Sequence, residues 1–132
     1  MILAVNKTHP LADKEALTIE DLKEVPFILH ESGSVSRKLT MEWAAANQLP
    51  LHEALEVSAT ETMKEAVRQN IGIAIISELN VKREIEEGNM VGFPLPGLNF
   101  NRMIYLIYHK HRLLTPPMEH FLQHSILEMM TV

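Results

Sequence analysis

The sequence has no cysteine among its 132 residues, which excludes a disulfide scaffold and a cysteine-based zinc finger and is consistent with a reducing compartment. It also has no apolar run near the roughly 18 or more residues that span a bilayer. The apolar start MILAVN is too short for the core of a signal peptide. These absences predict a soluble, cytoplasmic protein with no membrane partner.

Basic residues are scarce as well, with 12 Lys and Arg against 17 Asp and Glu and a formal net charge of −5. The longest basic runs are the pairs Arg37-Lys38 and Lys82-Arg83. Because neutralisation of phosphates dominates affinity for nucleic acids, we expect no direct contact of this chain with DNA or RNA. The remaining composition, 46% apolar and 22% charged, is that of one ordinary globular domain.

Predicted strands and helices alternate along the sequence. Apolar runs predict strands over residues 1–6, 27–29, 51–57, 72–77, 90–93 and 102–110. Caps and apolar periodicity predict helices that begin near residues 18, 34, 60, 78 and 115, the first of them stopping before Pro26. This alternation predicts an α/β fold with a largely parallel sheet that helices cover on both faces.

Three finer patterns belong to these elements. The helix from residue 34 places three apolar residues on one face, Val35, Leu39 and Trp43. The strand LHEALEV places alternate residues on one face, Leu51, Glu53, Leu55 and Val57. The helix near residue 60 begins with two overlapping capping-box patterns, Ser58–Glu61 and Thr62–Glu65.

Two strand-to-helix turns have the same composition of small polar residues. Ser32, Gly33 and Ser34 follow one predicted strand, and Ser58-Ala59-Thr60 follows the next. In an open α/β sheet, ligands bind beyond the carboxyl ends of the strands. Hydroxyls and unpaired backbone N–H groups at helix N-termini favour negative charge there. The turns therefore predict either ordinary helix capping or, if both point at one place, a site for a small anion.

Other chemistry has less support in the sequence. His109 and His111 would share one face of a strand, and His120 and His124 lie one helical turn apart, a spacing that can chelate a metal. No His-Glu-x-x-His motif occurs, so we expect no metal site. The nucleophile elbow, the phosphate-binding loop and the dinucleotide fingerprint are absent too, so we expect no catalytic residues and no cofactor.

Three stretches, in this order, resemble the effector-binding domain of LysR-type transcriptional regulators. They are HPLADKEALTIEDLKEVPFILHESGSVSRKL, LEVSATETMKEAVRQNIGIAIIS and GLNFNRMIYLIYHKHRLLTPPMEHFL. Such domains carry a His-Pro-Leu-Ala loop, a Pro-Phe-Ile strand before a Ser-Gly-Ser-like turn, and a Ser-Thr-Glu-like helix start followed by Lys-Glu-Ala-Val. The resemblance covers nearly the whole chain.

The resemblance implies a fold like the type 2 periplasmic binding proteins, with two α/β subdomains joined by two crossing strands. It makes residues 1–132 part of such an effector-binding domain. The assignments are about 9–94 to the second subdomain, 1–6 and 102–109 to the crossing strands, and 115–130 to the final helix of the first subdomain. A winged helix-turn-helix domain and the rest of the first subdomain would lie outside this chain, so DNA would be reached only through that missing domain.

For function, the resemblance implies a non-enzymatic module of a transcriptional regulator that binds a small, often anionic, metabolite between its subdomains. Ser32, Gly33, Ser34 and Thr60 match positions that commonly contact effectors, although this chain has Ser58-Ala59 where the family often has Gly-Ser. Apolar surface exposed on the crossing strands and last helix would favour a homo-oligomer. Two alternatives stay open: a two-lobed solute-binding protein of a transport system, and a small metal-dependent enzyme built on the histidines.

Overall fold

A computed structural model of the chain describes residues 1–95, 97 and 106–130, the last five of them by their backbone alone. The chain divides into two compact units, Met1–Phe100 and Asn101–Val132. The first unit contains strands β1 (Ile2–Asn6), β2 (Pro26–His30), β3 (His52–Val57), β4 (Ala74–Ile76) and β5 (Met90–Phe93). Its helices are α1 (Val35–Ala46), α2 (Thr60–Arg68) and α3 (Glu78–Glu86), with short 3₁₀ helices at Pro10–Asp13 and Glu20–Leu22.

The strands of the first unit form a three-stranded ladder and a two-stranded ladder that meet at one parallel bridge. β2 pairs with β3 in parallel, and β1 lies between β4 and β5, antiparallel to both. The bridge joins Phe27 to Ile73, with Ile28 N–H donating to the Ile73 carbonyl at 2.8 Å and Ile73 N–H donating to the Pro26 carbonyl at 2.9 Å. The strand order is therefore β3-β2-β4-β1-β5.

A largely parallel sheet was predicted, and β2, β3, β4 and β5 do run in one direction. β1 is the exception, because it enters between β4 and β5 from the opposite side. Antiparallel neighbours need no crossover helix, and the partners of β1 come from far along the chain. The local periodicity of the sequence therefore could not predict the direction of β1.

Gly72 permits the close approach at the junction between the two ladders. A Cβ atom on this residue would lie 2.6 Å from the Pro26 carbonyl oxygen, a distance that requires backbone movement. The glycine ahead of β4 thus has a packing reason, since any side chain would separate β4 from β2.

Helices cover both faces of the sheet, as predicted. One face packs against α1 and the 3₁₀ helices, with a core that includes Leu3, Phe27, Trp43 and Ile75. The other face packs against α2 and α3, through residues such as Ile28, Met63, Val67 and Val81. Alternate residues of the same strands supply the two cores, which is the burial expected of a sheet covered on both sides.

The predicted faces of α1 and β3 need correction. Val35 is 61% exposed whereas Trp43 is 3% exposed, because each i to i+4 step drifts by about 40° around a helix and two steps carry Val35 off the buried stripe. In β3, Phe27 lies opposite Glu53 while Ile28 lies opposite Leu55, so Ala54 is bulged out. The bulge moves Glu53 off the face that carries Leu55.

Two other predicted elements differ from the structure. The helix from Thr18 is only one 3₁₀ turn, Glu20–Leu22, although Thr18 and Asp21 exchange capping hydrogen bonds. Pro26 explains this, since a residue that precedes proline is driven to extended geometry and the chain enters β2 at once. Of the strand predicted over 102–110, residues 102–105 lie outside the described part, and residues 106–109 have no regular secondary structure.

The second unit contains α4 (Pro116–Met130), where a final helix from residue 115 was predicted. Within this unit, an apolar groove of about 370 Å³ is lined by residues that include Leu106, Ile107, Pro117 and Phe121. Ile107 is 88% exposed and Phe121 is 61% exposed. None of the described helices combines the length and apolarity needed to cross a bilayer.

A buried ion pair joins α2 to α3. Lys64 Nζ lies 2.7 Å from Glu84 Oε1 and 3.0 Å from Glu61 Oε1, and the Lys64 and Glu84 side chains are only 11% and 9% exposed. The hydrogen bond to Glu84 raises the pKa of Lys64, and the same bond lowers the pKa of Glu84. Both groups therefore stay charged, although within the described residues Glu84 Oε2 has no hydrogen-bond partner.

Lys64→Met should lower the free energy of unfolding by about 3–5 kcal/mol, because it leaves the Glu84 carboxylate buried without its cation. Urea denaturation monitored by circular dichroism measures the change. Lys64→Met combined with Glu84→Leu should recover most of it. The matched control is Arg83→Met, which removes an 84% exposed partner of Glu87 and should cost less than about 1 kcal/mol. An equal loss in the two single variants would contradict the prediction.

His9 makes the folded state sensitive to pH. Its Nδ1 accepts from Leu11 N–H at 3.1 Å and so caps the first 3₁₀ helix, and burial lowers the pKa of His9 below 6.5. The folded chain therefore favours neutral His9. Stability is fully present above the unfolded pKa of about 6.5 and falls as the pH drops from there through the lower folded pKa.

His9→Asn should flatten part of this pH dependence, since an amide oxygen can cap the same N–H without titrating. Unfolding free energies of both proteins, measured at about pH 7.5 and about pH 5, test the expectation. The wild type should lose more stability than the variant over this interval, and the other histidines cancel in the comparison. A variant that loses as much as the wild type would show that His9 does not contribute.

Candidate functional site

The two predicted turns lie side by side at one edge of the sheet. Parallel pairing places His30 opposite Val57, and Glu31 N–H donates to the Val57 carbonyl at 2.8 Å. The carboxyl ends of β2 and β3 therefore leave the sheet together, and each chain segment turns directly into a helix. The sequence could predict two similar turns, and the register of two strands makes them neighbours.

The first turn is built by Gly33 and Ser34. Gly33 has a φ of +90°, a backbone conformation that residues with a Cβ rarely adopt. Ser34 is the N-cap of α1, and its Oγ accepts from Arg37 N–H at 3.0 Å. Ser32 is exposed. The prediction of a capping serine is thus confirmed for Ser34, and Gly33 has a geometric reason to be glycine.

The second turn is capped differently from the prediction. The N-cap of α2 is Ala59, whose side chain makes no capping hydrogen bond, so neither Ser58 nor Thr62 caps this helix. Thr60 is its first residue and is half-buried. A helix that begins without a side-chain acceptor presents its first N–H groups to whatever lies beyond its end.

A third turn of the same kind was not singled out from the sequence. Ser77 follows β4 and is the N-cap of α3, again with no capping hydrogen bond from its side chain. Because β2 lies between β3 and β4, the turn at residues 31–34 is central and the other two flank it. The sequence carries a signal for it, a serine between the apolar run GIAII and Glu78.

Acidic side chains around these turns outnumber the basic side chains that pair with them. Glu31 and Glu56 adjoin the first and second turns, and Glu61 lies in the first turn of α2. Arg37 binds Glu53 and Glu56, and Lys64 binds Glu61. An anion at this edge would therefore have to be held by helix N-termini and their N–H groups rather than by an excess of basic side chains.

A shallow groove of about 290 Å³ runs along the start of α1. It is lined by Gly33, Ser34, Val35, Arg37, Lys38 and Met41. Two predicted site residues thus share a groove with two cations, and Thr60 does not line it. The proximity of Thr60 to the first turn follows instead from the paired ends of β2 and β3.

The histidines form two close pairs, but each pair offers only two potential metal ligands. The rings of His109 and His111 have centroids 5.6 Å apart, and those of His120 and His124 are stacked at 5.6 Å. Among the residues whose side chains are described, no three His, Cys, Asp or Glu groups converge as metal ligands would. The described geometry gives no support to a metal-dependent enzyme.

The chain matches a known protein family and is similar to a curated relative. A family model described as the LysR substrate binding domain matches residues 1–128. The HTH-type transcriptional activator CmpR of Synechocystis sp. is 28% identical over 124 residues, which are 94% of this chain and 41% of that protein. The chain thus spans about two fifths of the length of this curated relative.

Two solved structures share the fold. The effector binding domain of QuiR in complex with shikimate has a TM-score of 0.73 and 21% identity, over 94% of this chain and 58% of that one. The Synechocystis PCC6803 CcmR regulatory domain in complex with 2-PG has a TM-score of 0.70 and 20% identity, over 93% of this chain and 59% of that one. The predicted periplasmic-binding-protein-like fold is confirmed.

Ser34→Ala should destabilise the chain by about 1 kcal/mol, since it leaves the Arg37 N–H without its acceptor at the helix start. Ser32→Ala is the matched control, because the described residues show no hydrogen bond of its hydroxyl and an exposed substitution changes stability by less than about 0.5 kcal/mol. Thermal and urea unfolding of both variants measure the difference. Equal losses in the two would contradict the assignment of the cap to Ser34.

Proposed function

The chain belongs to the LysR substrate binding domain family, and from this premise we propose that it is the effector-sensing module of a transcriptional regulator. The observation that carries the proposal is the pair of strand-to-helix turns that share one sheet edge. Their proximity rests on the parallel register of His30 with Val57. Two helix N-termini at one place create a site without requiring any catalytic group.

The proposed effector site contains Ser32, Gly33, Ser34 and Thr60. Gly33 keeps the backbone of the first turn open, because no atom lies within 4 Å of the position a Cβ would take there. Ser34 organises the start of α1 through its hydrogen bond to Arg37 N–H. Thr60 offers a hydroxyl at the start of α2, whose N-cap residue supplies none.

We infer that the effector is a small anion. Helix N-termini stabilise negative charge, and the two similar solved domains are complexes with shikimate, a carboxylate, and with 2-PG. These molecules are properties of those proteins. They support the charge class proposed for this chain and serve as probes for it.

The proposed division of the chain follows the family architecture. Residues from about 9 to 94 form the second subdomain, residues 1–6 form one crossing strand, and residues 115–130 are the final helix of the first subdomain. In the whole protein, DNA contact belongs to a separate N-terminal domain. The exposed apolar groove of the second unit supports self-association into a homo-oligomer.

We also propose that the module has no catalytic activity and acts in the cytoplasm, as a regulator of transcription does. Similarity to an HTH-type transcriptional activator and the match to the family model support this reading. The alternative of a transport-associated solute-binding protein is not favoured by either comparison.

An NMR titration of the labelled chain with inorganic phosphate, shikimate and 2-PG, in separate arms, tests the site. Backbone amides of residues 33–37 and 60–61 should shift saturably with at least one anion and not with chloride. Ser34→Ala and Thr60→Val should each weaken that binding by about 1–3 kcal/mol, the cost of an unmet polar partner.

The matched control is Thr8→Val, because Thr8 follows β1, whose direction places it at the opposite edge of the sheet. Its affinity for each anion should equal that of the wild type. If no anion shifts the amides of either turn, the proposed site is wrong. If Thr8→Val weakens binding as much as Thr60→Val, the anion binds elsewhere.

A further inference from the structure

The Arg37 side chain makes contacts beside the proposed effector site that helix capping does not explain. Its Nη1 donates to the His30 carbonyl at 2.9 Å and to Glu56 Oε2 at 2.9 Å, and its Nη2 donates to Glu53 Oε2 at 2.6 Å. The side chain is 21% exposed. Three elements thus meet at one guanidinium: the end of β2, the edge strand β3 and the first turn of α1.

Arg37 holds the first turn at both ends. Its backbone N–H donates to Ser34 Oγ at 3.0 Å, at the last residue of the turn. Its guanidinium donates to the carbonyl of His30, the residue before the turn begins. A single residue therefore sets the distance between the two ends of the segment 31–34.

The bulge in β3 presents two carboxylates to this guanidinium. In a regular strand, residues three apart point to opposite faces. Because Ala54 is bulged out between Glu53 and Leu55, Glu53 and Glu56 fall on the same face, where Arg37 binds both. Bulges that re-aim side chains are typical next to functional sites.

These two carboxylates lie at an edge that is proposed to take an anion. Without Arg37 they would place two negative charges next to the turns, since β3 leads directly from Glu56 through Val57 to the second turn. Both terminal nitrogens of Arg37 already have acceptors. Its effect on a ligand therefore passes through the turn and through the local field.

We propose that Arg37 is a positioning residue for the effector turn, which it holds at both ends while it offsets one of the two negative charges of Glu53 and Glu56. The inference rests on the proposed function, because it concerns the anion affinity of the same turns. It identifies a charge balance that regulates this affinity: the two carboxylates weaken anion binding, and Arg37 offsets them.

Affinity for inorganic phosphate, from the same amide shifts, tests the inference in four variants. Arg37→Met should weaken binding about tenfold, a change that equals about 1.4 kcal/mol. The combination of Arg37→Met with Glu53→Gln and Glu56→Gln should restore it to within about threefold of the wild type, because the uncompensated charges are gone. Lys23→Met removes the same charge at the opposite end of β2, where Lys23 pairs with Glu20, and should change affinity less than about twofold.

The fourth variant, Glu53→Gln with Glu56→Gln, retains Arg37 and should tighten phosphate binding about tenfold, an effect that loss of structure cannot produce. This arm keeps the inference falsifiable even if Arg37→Met does not fold. Equal affinities of Arg37→Met and Lys23→Met, or no gain in the double glutamine variant, would overturn the inference. Where phosphate does not bind, shikimate or 2-PG serves as the probe, and a wild type that binds none of the three would instead overturn the proposed function on which the inference rests.

Discussion

The parallel pairing of β2 with β3 is the constraint on which the candidate site depends. The pairing ends where Glu31 N–H donates to the Val57 carbonyl at 2.8 Å, and both chain segments then turn towards their helices. A shift of this register by one residue would reverse every side chain of β3 between the two cores. Val57 could then no longer pack with Met63 and Val67, so packing on α2 fixes the register and the register brings the turns together.

Much of the fold could be predicted because its elements follow local rules. The turn residues before α1, the apolar run at β4 and the alternation of strands with helices all indicate an α/β domain. The direction of β1 could not be predicted, since its partners Ile76 and Phe93 are distant in sequence. The bulge at Ala54 could not be predicted either. The alternation of apolar and polar residues assumes a regular strand, and one inserted residue moves all later side chains to the opposite face.

The residues of the candidate site differ in the same way: local sequence predicts some of them and not others. Ser34 could be identified as a cap because its bond to Arg37 N–H spans only three residues. Ala59 could not, since two polar candidates surround it and the helix begins where tertiary packing of Met63 and Val67 requires. In the sequence alone, Arg37 is only one residue of the basic pair Arg37-Lys38. Its partners Glu53 and Glu56 become visible only when the edge strand is folded against β2.

A chain with a formal net charge of −5 that is proposed to bind an anion has to restrict where its acidic groups act. Three of the carboxylates near the turns are paired: Glu53 and Glu56 with Arg37, and Glu61 with Lys64. Paired charges leave little net field beyond a Debye length of about 8–10 Å, whereas the N–H groups of a helix N-terminus act at hydrogen-bond distance. The ion pairs around the site and the uncharged donors within it therefore serve one electrostatic purpose. The pairs suppress the long-range repulsion of the chain, so that the short-range donors of α1 and α2 decide what binds.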